Sequence, residues 1–151
     1  MNFTTSRRET LGLAAAAGLA ALLAPRMSIA DEPAVAAEIK KLYGDKKMDA
    51  GKIKLDVPEI AENGLVVPVN IEVESPMTDT DYVKAVHVFA DGNPLPGIVT
   101  YRFTPACGKA SASTRMRLAQ TQNIVCVAEM SNGNLHMAKA NVKVTIGGCG
   151  G

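Results

Sequence analysis

Leu65, Val67, Val69, Ile71 and Val73 occupy every second position of one segment, with Val66, Pro68, Asn70, Glu72 and Glu74 between and after them. A period of two places the first set on one face of a β-strand. Pro68 lacks a backbone donor, so this strand is expected at a sheet edge or to carry a bulge. Ala138, Ala140, Val142, Val144 and Ile146 repeat the pattern against Lys139, Asn141, Lys143 and Thr145. Between these two, the segments Tyr82–Ala90, Ile98–Phe103, Thr114–Ala119 and Asn123–Met130 read as strands. They are punctuated by Asp91-Gly92-Asn93-Pro94, by Pro105 and by Ser131-Asn132-Gly133-Asn134. Gln120-Thr121-Gln122 is short enough to join the strands on either side of it into a hairpin.

One segment has a different period. Val35, Ala36, Ile39, Leu42 and Tyr43 recur at spacings of three and four after Pro33, Lys40 and Lys41 suit a helix C-terminus, and Gly44 can end it. Together the patterns predict a mainly β protein: an immunoglobulin-like antiparallel sandwich of about seven strands rather than a barrel, with one short N-terminal helix.

Residues 1–30 follow neither period. Arg7 and Arg8 precede the uncharged stretch Leu11–Ala24, which is shorter than the roughly 20 residues needed to cross a bilayer. Ser28-Ile29-Ala30 then offers small residues at the positions a signal peptidase reads. This pattern reads as a twin-arginine export signal cleaved after Ala30, a route taken by proteins exported already folded. The expected organisation is a removed signal over 1–30, a sandwich with its helix over 31–146, and a flexible arm over 147–151, in the periplasm. The chain has 16 basic and 15 acidic residues, and the signal takes Arg7, Arg8, Arg26 and Glu9 with it. The remainder is close to neutral, which gives no electrostatic reason to expect a nucleic-acid or anionic-membrane partner. There is no Trp, and Phe and Tyr number three each, so Val, Ile, Ala and Met must fill the core.

An oxidising compartment makes the count of three cysteines informative. Cys149 stands between Gly147-Gly148 and Gly150-Gly151, which offer no packing surface. Glycine gives such a thiol reach and access instead. Cys107 follows Thr104-Pro105-Ala106, and Cys126 lies in the apolar run Ile124-Val125-Cys126-Val127-Ala128. A Cys107–Cys126 disulfide would leave Cys149 free; the other reading is that Cys126 is a small buried hydrophobe and Cys107 a loop residue. An unhindered thiol with a pKa of about 8.5 has a usable thiolate fraction at neutral pH. Lys143 and the terminal carboxylate of Gly151 are the nearest charged groups in sequence, and neither is held beside it, so no catalytic group is assigned to this chain.

Other constellations are weak. His87 and His136 lie within strand patterns without His-x-His or Cys-x-x-Cys spacing, and Cys-x-x-Cys-His is absent. Structural roles are expected for both, with no metal, haem or other cofactor. Met116, Met130 and Met137 could form a soft copper site, but core filling or partner contact is the expectation. Leu135 and Met137 fall on the strand face opposite the core alternation and form a candidate interface. Lys46, Lys47, Lys52 and Lys54 read as solvated surface.

The segment Val142-Lys143-Val144-Thr145-Ile146-Gly147-Gly148-Cys149-Gly150-Gly151 resembles the C-terminus of the SoxY family, the sulfur-carrier subunits of the periplasmic Sox thiosulfate-oxidising system. The likeness continues through Phe103-Thr104-Pro105, Thr114-Arg115-Met116-Arg117-Leu118-Ala119 and Val127-Ala128-Glu129-Met130-Ser131-Asn132-Gly133, and the export signal fits. Cys107 and Cys126 lie outside the family motif. The resemblance implies a carrier rather than an enzyme, with Cys149 as the covalent attachment point and Gly147, Gly148, Gly150 and Gly151 as its arm. It also implies the partners. A haem-containing enzyme conjugates thiosulfate to the thiol, a hydrolase releases sulfate and leaves a persulfide, and a sulfane dehydrogenase oxidises the remaining sulfur in organisms that have one. A SoxZ-like subunit completes a heterodimer. Two other classes stay open: a thiol redox protein, which would place a resolving cysteine close by, and a structural sandwich cross-linked through its tail cysteine.

Overall fold

The computed structural model describes residues 32–147. Helix α1 spans Glu32–Tyr43. It ends where expected: Gly44 takes φ +67°, and its N–H donates to the Lys40 carbonyl at 2.8 Å. Nine strands follow: β1 Met48–Asp49, β2 Ile53–Asp56, β3 Ile60–Ala61, β4 Val67–Val73, β5 Val83–Ala90, β6 Gly97–Arg102, β7 Ala110–Met116, β8 Gln122–Met130 and β9 Leu135–Val144. They form two sheets. The larger runs β1-β9-β8-β5-β6, with β3 also on β9, and the smaller runs β2-β4-β7. The two extra strands beyond about seven are the two-residue β1 and β3. Both pair parallel with β9, one near its start and one near its end, and elements this short leave no periodicity to read.

The sheets pack face to face. Val67, Val69, Ile71 and Val73 of β4 meet Val86 and Val88 of β5 and Ile124, Cys126, Ala128 and Met130 of β8 in one buried cluster. Alternation explains one face of β8, and α1 explains the other. Val35 and Ile39 pack on Phe89, Val125 and Val127, so β8 is buried on both sides and reads as a continuous apolar run. Burying each of those two helix side chains contributes about 1.5–3 kcal/mol. A register shift between Val83 and Ala85 changes the phase of β5, so that both Val83 and Val86 reach the core.

Several expectations need correction. The segments flanking Gln120-Thr121-Gln122 do not form a hairpin: β7 pairs with β4 and β8 with β5 and β9, so residues 117–121 carry the chain from one sheet to the other. The β4 strand is not an edge but the middle of its sheet. Pro68 is accommodated because β2 ends at Asp56, opposite Asn70, leaving Pro68 with only β7 beside it. Leu65 and Ile146, assigned to core faces, lie beyond the ends of β4 and β9 and are exposed. Leu135 is buried, so it cannot form an exposed interface with Met137.

Candidate functional site

The last strand delivers the chain to Gly147, and a set of backbone bonds fixes that exit. Lys143 N–H donates to Glu59 at 2.9 Å and Thr145 N–H to Ala61 at 3.0 Å, while Gly64 N–H donates to the Ile146 carbonyl at 2.7 Å. The Thr145 hydroxyl adds a bond to the Glu62 carbonyl at 2.8 Å. On the other side, Val144 N–H donates to the Thr121 hydroxyl at 3.0 Å. Leu118 N–H closes the arrangement by donating to the Gly64 carbonyl at 2.8 Å.

Gly147 is exposed, yet its backbone runs close to another segment. A Cβ on it would lie 2.2 Å from the Ala119 carbonyl oxygen, so any other residue must push two backbones apart. Its lack of a side chain permits this close approach. Ala119 in turn is held by a buried polar pair. Asn93 accepts from Ala119 N–H at 2.9 Å and from Gln122 Nε2 at 3.0 Å, and donates to the Arg117 carbonyl at 2.8 Å. Gln122 Oε1 accepts from Gly92 N–H at 2.8 Å. Asn93 had read only as turn punctuation in Asp91-Gly92-Asn93-Pro94. Its role as a clamp on the crossover segment, 26 residues away, has no local signature; the one available signal is an amide followed by proline just before an apolar strand.

Cys149, Gly148, Gly150 and Gly151 lie outside the described residues, as do Arg7, Arg8 and the cleavage position after Ala30. The other two cysteines are both described, and the candidate disulfide between them is absent: both thiols are free. Cys126 faces the inter-sheet core from β8, fully buried, and burial pushes its thiol up to about 12. Cys107 is exposed on a 3-10 turn, Pro105–Cys107, between β6 and β7. Its sulfur lies 3.5 Å from Thr104 N, and hydrogen bonding from that N–H and from the Thr104 hydroxyl holds the thiol below its ordinary value. One thiol looks inward and the other outward.

Among the described residues, no group of three or more His, Cys, Asp or Glu side chains is arranged to hold a metal ion. Met116 and Met130 fill the core, and Met137 is exposed. His87 packs edge-on to Tyr43, with centroids 5.7 Å apart, and shares a hydrogen bond of 2.9 Å with the Thr100 hydroxyl. Burial and the Arg102 charge depress its pKa. Nearby Glu129 pairs with Lys84 at 2.6 Å and accepts from the Tyr43 hydroxyl at 3.3 Å, and the Lys84 bond keeps its carboxyl below the ordinary range. These contacts fasten the end of α1 to the large sheet. His136 is buried, with Nδ1 unpartnered.

Comparisons with known proteins place this geometry. The family described as "Sulfur oxidation protein SoxY" matches residues 39–149. The solved structure of the sulfur carrier protein SoxY from Chlorobium limicola f thiosulfatophilum is similar at 32% identity and a TM-score of 0.63, covering 74% of this chain and 96% of its own. Superoxide reductase (neelaredoxin) from Ignicoccus hospitalis is similar at 14% identity and a TM-score of 0.57, covering 77% of this chain and 94% of its own. A putative superoxide reductase from Thermotoga maritima is similar at 17% identity and a TM-score of 0.54, covering 65% and 87%. Likeness to the two reductases shows a shared sandwich fold alone. No curated protein matches.

Proposed function

The chain belongs to the SoxY family of sulfur oxidation proteins, and from that membership we propose that it carries sulfur intermediates covalently on the thiol of Cys149 during thiosulfate oxidation. The observation that carries the reading is that the family match runs to residue 149, past the anchored Gly147 and onto the cysteine itself. Only one residue, Gly148, separates Gly147 from this cysteine in sequence, and glycines on either side of the thiol add no bulk.

The chemistry places its demands on partners. Conjugation forms a sulfur–sulfur bond: the thiol and thiosulfate give a cysteine S-thiosulfonate, one proton and two electrons, and the electrons leave through a haem-containing enzyme. Hydrolysis then adds water across the S–SO3 bond, releasing sulfate and a proton and leaving a persulfide. Further oxidation of the attached sulfur belongs to a sulfane dehydrogenase where one exists, and a second hydrolysis restores the thiol. This chain supplies an accessible nucleophile and no acid or base. A heterodimer with a SoxZ-like subunit, export through the Arg7-Arg8 signal with cleavage after Ala30, and work in the periplasm complete the proposal. The test is the Cys149→Ser variant given thiosulfate and the conjugating enzyme. Thiosulfate-dependent reduction of the haem should be lost in Cys149→Ser and kept in Cys107→Ser; full activity in Cys149→Ser would overturn the reading.

A further inference from the structure

The larger sheet ends at β6 and the smaller at β7, so each strand has one open edge. A single groove of about 530 Å³ lies between them, lined by residues 93–95 and 97–99 on one side and 114–117 on the other. Its floor is apolar. Ile98 and Val99 of β6 are half-buried against the core, and Met116 of β7 is buried. Leu95, 76% exposed, stands at the rim. The charge along the groove is of one sign: Arg115 and Arg117 line it, both exposed, and no Asp or Glu does. The six ion pairs among the described residues all use lysine and leave both arginines without a carboxylate.

An open strand edge presents unpaired backbone N–H and C=O groups, and an extended chain laid along it bonds to them. Those bonds supply affinity, and the side chains at alternate positions supply the choice of partner. Here the choice is set by charge. Exposed Arg115 and Arg117 alternate with buried Met116 and Leu118, so the two guanidinium groups share one side of the chain. We propose that β7 takes an extended acidic segment of a partner protein as an added strand. Its carboxylates would stand at every second position, over Arg115 and Arg117, with apolar residues between them entering the groove beside Met116 and Ile98. A second copy of this chain is the wrong occupant, because it brings two more arginines to the edge and like charges on paired strands repel. This binding does not depend on sulfur chemistry at Cys149.

The test titrates the full chain into the fluorescein-labelled peptide Thr-Val-Glu-Val-Glu-Val-Thr and follows its anisotropy. Wild type should bind this peptide, and added salt should weaken the complex. The double variant Arg115→Glu/Arg117→Glu should bind it about tenfold more weakly and should instead take Thr-Val-Lys-Val-Lys-Val-Thr, which wild type rejects. That exchange also shows that the variant is folded. The isomer Thr-Val-Val-Glu-Glu-Val-Thr keeps the composition but sets its carboxylates on opposite faces, and wild type should bind it about tenfold more weakly than the first peptide. Leu95→Ser, at the exposed rim, should raise the Kd about threefold. No binding of the first peptide, or equal binding by the double variant, overturns the proposal and leaves the arginines as guards of an open edge. Equal binding of the isomer overturns it as well, since attraction between charges would then suffice without an added strand. So does a dimer of this chain that the double variant converts to monomer, which would make the edge a contact between copies.

Discussion

Replacing Gly147 by alanine isolates the role of the arm's root. Gly147 is not among the glycines with positive φ, so the substitution carries no torsional penalty and its effect is purely steric. The new Cβ would meet the Ala119 oxygen at 2.2 Å, about 1 Å closer than ordinary contact allows. Two responses compete. Pushing Ala119 back strains the Asn93–Gln122 pair, and overpacking of that kind costs about 1–3 kcal/mol, with a further 1–3 kcal/mol if a buried amide loses its partner. Letting Ile146 and Gly147 lift away loses the Gly64–Ile146 bond, a net cost of about 1 kcal/mol once both groups are solvated. Release is cheaper, so the root detaches. Amide exchange at Gly64 should quicken about fivefold, and Tm should fall by about 3–6 °C for a domain of this size. Gly150→Ala, beyond the anchor, should change neither. Wild-type protection at Gly64 together with an unchanged Tm in Gly147→Ala would refute the packing argument.

Four further outcomes follow from the same contacts. At neutral pH iodoacetamide should label Cys107 and Cys149 in the native protein and reach Cys126 only after denaturation; mass spectra showing Cys107 protected together with Cys126 would restore the disulfide. Ile39→Ala should lower stability in urea by about 2–4 kcal/mol, because it empties the seat of α1 on Val125 and Val127, and a loss under 1 kcal/mol would contradict that packing. His87 has a folded pKa depressed from 6.5, so its neutral form stabilises the fold above that pH, and this stability is lost as pH falls through the folded value. Tm should therefore drop between pH 7.5 and 5.5, and His87→Asn should flatten the drop; an identical slope in the variant would remove His87 as its source. Gly150→Val should slow turnover with the partner enzymes about tenfold through lost access, with wild-type Tm; wild-type rates would count against a narrow active-site entrance.

The alternation of β4 and β9 was legible because one face of each of these strands is core. Val67 to Val73 and the Ala138 to Val144 series needed only a period of two. The crossing at residues 117–121 was not legible, since Gln120-Thr121-Gln122 suits a hairpin turn and a sheet-to-sheet crossover alike; which one forms depends on β4 competing for β7. Pro68 was misplaced for a related reason: it reports the absence of one neighbour at one position, which a short β2 provides without making the whole strand an edge. The Gly-Gly-Cys-Gly-Gly segment stood out because its composition excludes packing, but the close approach of Gly147 to Ala119 has no local signature. A glycine that permits motion and one that permits contact look the same until Ala119 is seen opposite it.

The most direct measurement is the mass of the peptide bearing Cys149 after reduced protein is incubated with thiosulfate and the haem-containing conjugating enzyme. The account requires one S2O3 group added on Cys149, none on Cys107 or Cys126, and conversion to a persulfide when the sulfate-releasing hydrolase is added. An unmodified Cys149, or an adduct on Cys107 in its place, would contradict it.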